Sequence, residues 1–360
     1  MVKICFIAPK AYQLFNPEVR STFGGAEVQL YLLSTNLADN KKLDIHFMVA
    51  DYGQKKVETH SNIQVWRSLN FQSNILKQVL TFFKVFNKIN ADIYIQRTLT
   101  AQSGLIALYC KLRGKKFVYM VAHDNETDGT HKLYKNFLVR FFTKLNFKLA
   151  DKIIVQNQFQ NKNLLNKHFK TYLLKSSYPI GESLLDKSGF ILWVGRSESW
   201  KRPELFLELA KIMPLEQFVM ICAPSTDHPE LSEDLKRVSK TIYNLKFIEF
   251  VPFQQINDYF GRAKVFINTS VQEGFPNTFI QAAKNKTPVL SLNVNPDDCI
   301  TSYNWGFYCN NDFDLLVNNL QKILFDNDLY YQMRENAYRY VQENHDIKVN
   351  AEKFLEIITR

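Results

Sequence analysis

Four groups of residues in this 360-residue chain combine types and spacings that could do chemistry. The first is Val194-Gly195-Arg196-Ser197-Glu198-Ser199-Trp200-Lys201. An apolar run ends in Gly195, cations follow at positions 196 and 201, and Pro203 suits the first turn of a helix. Backbone N–H groups, a helix dipole and two long cations would then converge on one point, which is how a diphosphate is held. Two solvated cations at an ordinary strand–helix junction are the plainer reading. The second group is Thr269-Ser270-Val271-Gln272-Glu273-Gly274-Phe275-Pro276-Asn277-Thr278-Phe279-Ile280-Gln281. Gly274 permits close backbone approach and Pro276 opens a helix, so Glu273 would lie near helix-end amides that favour an anion. Gln281 follows Glu273 by about two turns at ~3.6 residues per turn and could face the same ligand. A capping role for Glu273 is the alternative. The third group, Thr22-Phe23-Gly24-Gly25-Ala26-Glu27, places two glycines where a backbone could approach a phosphate or sugar, although it is not G-x-G-x-x-G. The fourth is His123-Asp124, just after an apolar run; a histidine at the carboxyl end of a strand is a site candidate as well as a structural one.

These groups need a scaffold that brings strand ends together. Short apolar runs at 3–8, 45–50, 92–95, 117–121 and 152–155 alternate with helix-like stretches at 26–38, 75–88, 101–112 and 132–149. Strands that are apolar throughout and separated by helices predict a parallel sheet covered on both faces. The alternation restarts after a turn-rich stretch at 175–189, with strands expected at 190–194, 218–222, 246–248, 265–267 and 288–290 and a helix at 203–212. From about Asp312 onward only helices are expected. The economical architecture is α/β, with two Rossmann-like domains: 1–183, 184–345, and a final helix at 346–360. Ligands would lie in the crevice at the carboxyl ends of the strands.

Composition bounds the partners. With 46% hydrophobic and 22% charged residues the chain should bury full cores. The formal charge of +10 is uneven: 26 Lys/Arg stand against 12 Asp/Glu through Ser183, and 19 against 23 after it. The five cysteines are scattered with no C-x-x-C pair, which fits a reducing cytoplasm rather than a disulfide framework or zinc ribbon. No apolar run reaches the ~18 residues that crossing a bilayer requires. The reading is a cytoplasmic protein, soluble or peripheral on the inner face of a membrane.

In combination, VGR-x4-K, EGFPNTFIQA, the early GGAE and the intervening HD resemble the family 4 glycosyltransferases, which have the GT-B fold. The likeness covers nearly the whole chain and is most specific from 190 to 295. It implies a GT-B architecture and retaining, metal-independent transfer from a nucleotide sugar such as a UDP- or GDP-sugar, with no cofactor required. The second half would hold the donor and the first half a glycan or lipid-linked acceptor. Arg196 and Lys201 would neutralise the leaving diphosphate, and Glu273 would bond donor-sugar hydroxyls. Gly274, Phe275 and Asn277 would present backbone groups nearby. His123 would contact the donor sugar near the reacting carbon, and Gly24 and Gly25 would approach the diphosphate or acceptor. The last helix would cross back to the first half. Two positions depart from the family pattern. Gln281 stands where a second Glu is usual at the nucleotide ribose, though an amide can still donate and accept there. Cys222-Ala223-Pro224-Ser225 replaces a glycine-rich turn. The overall expectation is a hexosyltransferase in bacterial surface polysaccharide synthesis, such as lipopolysaccharide or capsule. The alternatives are a nucleotide-sugar epimerase of the same fold and an inactive nucleotide-sugar-binding protein.

Two further features frame the expectation. Asp312-Phe313-Asp314 and Asp326-Asn327-Asp328 look like metal-binding D-x-D strings but fall at helix starts, where Asp is a common cap; no metal site is expected. Residues 132–148 carry five cations and no acid. At ~100° per residue Tyr134, Leu138, Phe141, Phe142, Leu145 and Leu149 form an apolar face, with Phe137 and Phe147 among Arg140, Lys144 and Lys148 opposite. Phenylalanines between lysines suit a helix lying on an anionic membrane, and 75–88, with Lys77, Lys84 and Lys88 amid Phe82, Phe83 and Phe86, is a second such segment. A solvated basic face over a core helix is the competing reading. The basic residues lack a nucleic-acid recognition motif, so no nucleic-acid partner is expected.

Overall fold

A computed structural model describes residues 1–19, 22–100, 102–131, 134, 137–181, 189–225 and 229–360, with backbone only at Phe137 and Leu138. The chain divides into two compact units: Met1–Ser177 with Ile347–Arg360, and Tyr178–Asp346. The boundary expected between 183 and 184 lies outside the described residues.

The first unit is built on eight strands: β1 (Val2–Ile7), β2 (Leu43–Val49), β3 (Val57–His60), β4 (Ile63–Arg67), β5 (Ile93–Arg97), β6 (Lys116–Met120), β7 (Lys152–Val155) and β8 (Thr171–Leu173). Their order is β3-β4-β2-β1-β5-β6-β7-β8, parallel except for the β3–β4 hairpin. Ile4, Cys5, Phe6 and Ile7 of β1 are all buried, as a strand covered on both faces requires. The hairpin was not anticipated, because Val-Glu-Thr-His in β3 is a polar edge strand; its turn is made by Ser61 and Asn62, both with positive φ (46° and 65°). The short β8 was also not anticipated. Right-handed crossovers put the helices Ile75–Ile89, Ser103–Leu112, Phe137–Leu149 and Gln158–Leu165 on one face of the sheet. The opposite face carries Gly25–Leu37 and the final helix Ile347–Thr359, whose Phe354 lies 6.4 Å from Phe6 between ring centres.

The basic helices differ from their expected orientation. Lys132 and Lys135 lie outside the described residues. In Phe137–Leu149 the side facing the core carries Thr143, Asn146 and Phe147, whereas Phe141 is exposed. Phe147 is held there by an edge-on contact with Tyr119 (5.3 Å) and by Phe169 (5.8 Å). The neighbouring helix fixes the rotation: it approaches so closely at Gly104 that a Cβ would stand 2.1 Å from the Phe142 carbonyl oxygen. In Ile75–Ile89, Phe82 and Phe86 are buried, and the apolar residues left on the surface are Ile75, Leu76 and Leu80 (70%, 74% and 71% exposed).

The second unit holds β9 (Phe190–Arg196), β10 (Gln217–Ala223), β11 (Leu245–Ile248), β12 (Ala263–Asn268), β13 (Val289–Ser291) and β14 (Gly306–Tyr308), all parallel in the order β11-β10-β9-β12-β13-β14. That is the doubly wound order of a nucleotide-binding sheet, reversing direction between β9 and β12. β14 had no expectation behind it; as a three-residue strand, Gly-Phe-Tyr, it gives little periodic signal. Ile191, Trp193, Phe206, Phe218, Met220, Val265 and Leu290 centre the core. Asp312 and Asp326 cap the helices Phe313–Phe325 and Asn327–His345, accepting from the Leu315 N–H (2.9 Å) and the Leu329 N–H (3.0 Å). No helix among the described residues is long and apolar enough to cross a membrane.

Candidate functional site

The strand order of the second unit reverses between β9 and β12, and both of its candidate groups lie in the loops that follow those strands. Lys201, in a single helical turn at Ser199–Lys201, donates from Nζ to Glu273 Oε1 at 2.6 Å. Ser270 Oγ donates to the same oxygen at 3.0 Å. Both ends of the pair are mostly shielded, at 17% and 11% side-chain exposure. Glu273 Oε2 has no hydrogen-bond partner among the described residues, and Lys201 retains two further N–H donors. Its ammonium also lies over the Trp200 ring, 4.3 Å from the centroid.

Sequence reading missed the residues that hold these loops in register. Thr269 Oγ1 accepts from Trp193 Nε1 (3.0 Å) and donates to the Lys201 carbonyl (2.6 Å). The Val271 N–H reaches the Trp200 carbonyl at 2.8 Å. Arg202 donates to the Thr269 carbonyl (2.9 Å) and to Asn311 Oδ1 (2.7 Å). It does so from a left-handed conformation (φ 47°), a strained backbone of the sort found at functional sites. Nothing in its sequence neighbourhood separates Arg202 from a surface cation; the contacts are 67 and 109 residues away.

Arg196 occupies the last position of β9 and is 40% exposed, with its guanidinium 3.5 Å from Glu198 Oε1. Glu198 accepts from Ser225 Oγ (2.9 Å), and Ser197 Oγ accepts from the Ser225 N–H (2.9 Å). The turn that departs from the family pattern is therefore stitched to the β9 loop by Ser225. Beneath it, Cys222 is buried and its thiol is pushed up to about 12 by desolvation. Gly274 precedes the helix Asn277–Lys284, which Asn277 opens. The Phe275 ring belongs to the core, against His345 (4.8 Å) and Phe279 (6.4 Å), so only its backbone remains for a ligand. Gln281 is buried one turn after Asn277, and its carbonyl accepts from Asn285 Nδ2 at 2.8 Å.

In the first unit, Gly24 caps the helix Gly25–Leu37 in an extended conformation (φ −121°), and its N–H donates to Glu27 Oε2 at 2.8 Å. Neither glycine needs a left-handed backbone. Glu27 explains the acidic residue of GGAE as a partner for the helix start. His123 is exposed beyond β6 and its N–H donates to Glu126 Oε1 at 3.1 Å. The chemistry beneath it was not foreseen. Glu126 is buried and accepts from Tyr119 Oη at 2.5 Å, and burial pushes its carboxyl above the ordinary value. Asp124 accepts from Asn157 Nδ2 and Gln160 Nε2, both at 2.9 Å; burial raises it too, partly offset by those bonds. Buried Arg97 at the end of β5 donates to Gln156 Oε1 and Ser176 Oγ, both at 2.9 Å, while Gln156 Nε2 donates to the Ala122 carbonyl at 2.5 Å. His123 therefore stands on a buried polar platform that fixes its backbone. Among the described residues no cluster of three or more His, Cys, Asp or Glu could hold a metal ion.

Residues 180–340, which include the whole β9–β12 site, match the family model described as glycosyl transferases group 1. The match falls within the second unit, which is similar there to the group 1 glycosyltransferases. Across nearly its whole length the chain is similar to an uncharacterized glycosyltransferase of Methanocaldococcus jannaschii, 24% identical over 94% of this chain and 95% of that protein. It is also similar to the Escherichia coli UDP-Gal:alpha-D-GlcNAc-diphosphoundecaprenol alpha-1,3-galactosyltransferase, 20% identical over 89% and 90%. The structure of Anabaena HepE with UDP and glucose superposes with a TM-score of 0.78, covering 100% of both chains at 16% identity, so the chain has the GT-B fold.

Two measurements check the site's physics. Lys201→Met and Glu273→Gln should each lower the unfolding free energy by about 1–3 kcal/mol, because each strands a shielded partner. The double variant should cost less than their sum, as read from urea titrations; additive costs would mean that the pair is not coupled. Because burial raises Glu126, its stabilising contribution is complete below its ordinary value of 4.5 and is lost as pH rises through the higher folded value. Glu126→Gln should therefore fall less steeply in thermal midpoint above pH 4.5 than the wild type, and parallel profiles would refute that assignment.

Proposed function

We propose that the chain is a retaining glycosyltransferase of family 4 type. It would move a hexosyl group from a UDP- or GDP-sugar to a glycan or lipid-linked acceptor in surface polysaccharide synthesis, on the cytoplasmic side of a membrane. The observation that carries this reading is the Lys201–Glu273 pair at the strand-order reversal, inside the segment that matches the group 1 family. The UDP and glucose bound by HepE and the diphosphoundecaprenol-linked acceptor named for the E. coli relative support the donor and acceptor classes.

In this reading Glu273 holds Lys201 with one oxygen and offers Oε2 to donor-sugar hydroxyls. The remaining Lys201 N–H groups and the partly exposed Arg196 guanidinium meet the diphosphate. As the sugar–phosphate bond breaks, negative charge gathers on the leaving group, and fixed cations stabilise it more at the transition state than before it. These cations supply charge neutralisation without requiring a divalent ion. Gln281 takes the ribose hydroxyls, and the His123 backbone, fixed by Glu126, sets where its imidazole meets the sugar.

Peripheral membrane attachment is part of the proposal, carried by Ile75–Ile89. Exposed Ile75, Leu76 and Leu80 adjoin exposed Lys77, Lys84 and Lys88 on a helix whose other side is sealed by Phe82, Phe86 and Ile89. Apolar residues interleaved with lysines suit an anionic bilayer.

The deciding assay offers a panel of nucleotide sugars with extracted lipid acceptors. Transfer with retained anomeric configuration is expected; isomerised donor without an acceptor would indicate an epimerase, and neither transfer nor donor turnover would indicate a binding protein. Lys201→Ala should lower kcat by about 100- to 1000-fold while the thermal midpoint shows a folded protein, and unchanged kinetics would remove the diphosphate role. Leu76→Ser with Leu80→Ser should weaken sedimentation with phosphatidylglycerol vesicles; equal sedimentation would make the exposed leucines an ordinary surface.

A further inference from the structure

The basic face of Phe137–Leu149 lines a cavity. Arg140, Lys144 and Lys148, one turn apart on one side of the helix, edge a space of about 850 Å³ bordered also by Lys167, Gly129, Thr130 and His131. Its apolar wall is Phe147, Leu164, Phe169 and the Tyr134 ring. Phe147 and Leu164 are core residues, so the apolar side is fixed by the packing of the unit.

The charge in this cavity is unbalanced. Arg140, Lys144 and Lys148 form no ion pair with any described residue, and Lys167 donates to the Thr127 carbonyl. The one acid on the wall, Glu126, is committed to Tyr119 Oη and the His123 N–H and is pushed toward its neutral form by burial. Like charges four residues apart on a helix repel, and no carboxylate among the described residues pairs with these three to offset that repulsion. On a convex surface water would solvate them. Here they rim a concave space of drug-sized volume backed by rings and an isobutyl group, the arrangement of a site with an oriented charged end and an apolar body.

We propose that this cavity binds a phosphate ester of a hydrocarbon chain, with the phosphate on Arg140, Lys144 and Lys148 and the chain against Phe147, Leu164 and Phe169. Two sources share that chemistry: a polyprenyl phosphate, as in a lipid-linked acceptor, and the headgroup end of an anionic phospholipid. The proposal deepens the acceptor reading and rests on it for its biological sense. Binding is read with no donor present, so loss of binding and loss of transfer are separate results.

The test is isothermal titration of the full chain with farnesyl phosphate, dihexanoyl phosphatidylglycerol below its micelle concentration, inorganic phosphate and a neutral octyl glycoside. One-to-one binding of farnesyl phosphate or the phospholipid is expected, with inorganic phosphate and the glycoside at least tenfold weaker; the tighter of the first two names the source. Arg140→Ala with Lys144→Ala should weaken that binding at least tenfold at an unchanged thermal midpoint, and Lys144→Gln alone should weaken it less. Lys201→Ala should leave it intact, since the second unit's cations would otherwise account for phosphate binding. The proposal is overturned if the Arg140/Lys144 variant binds as the wild type does, if Lys201→Ala abolishes binding, or if inorganic phosphate matches the alkyl phosphates.

Discussion

The second unit depends on one contact, the 2.6 Å pair between Lys201 and Glu273. It joins the loops of β9 and β12, the two strands between which the sheet changes direction, and nothing in the strand ladder holds those loops together at that end. One backbone bond, from the Val271 N–H to the Trp200 carbonyl, and a set of side chains do it. Trp193 bonds Thr269, Thr269 bonds the Lys201 carbonyl, and Arg202 bonds the Thr269 carbonyl. The ion pair closes that set. Because the ammonium keeps two donors and the carboxylate keeps one oxygen, the same contact that fixes the loops also presents a cation and an anion acceptor to a ligand.

The first unit places its histidine by a different means. His123 sits on a loop whose backbone is tied from below by a carboxylate without a cationic side chain as hydrogen-bond partner. Glu126 is satisfied by a phenol and two backbone N–H groups, one of them long at 3.4 Å. Neutral donors compensate a buried carboxylate less well than a cation would, which is why desolvation wins and its proton affinity rises. The histidine's backbone is thus positioned by a carboxyl group whose partners are all neutral.

How much of this was readable in the sequence follows from the range of each interaction. Strands covered on both faces announce themselves as apolar runs, and helices such as Pro203–Ile212 by their period and opening proline, so both sheets were legible except for the β3–β4 hairpin and the short strands β8 and β14. Arg196, Lys201 and Glu273 were legible as types at strand ends. Their pairing was not, because 72 residues separate Lys201 from Glu273. The contacts of Thr269, Arg202 and Gln156 were invisible for the same reason. The Glu126 carboxyl bonds residues only three to seven positions away and was hidden instead by its burial, which its own neighbourhood does not announce. The rotation of Phe137–Leu149 failed for a related one: at ~100° per residue both faces of FLVRFFTKLNFK contain phenylalanines. What decides which phenylalanine goes inside is Gly104 on a neighbouring helix, which lets the backbone around Phe142 approach and turns Phe147 toward Tyr119.

That rotation changes what the basic excess of the first half means. In the second unit the two candidate cations are each matched, Lys201 by Glu273 and Arg196, more loosely, by Glu198. An anion arriving there must compete with a resident carboxylate. The competition weakens resting affinity and favours ligands whose charge grows, as a leaving diphosphate's does during bond cleavage. Arg140, Lys144 and Lys148 have no such competitor, so an anion of constant charge gains the full attraction and stays. Matched cations suit a group that is made and released in each turnover, and unmatched ones suit a ligand that is held. The two arrangements therefore separate the chemistry proposed for the second unit from the retention proposed for the first.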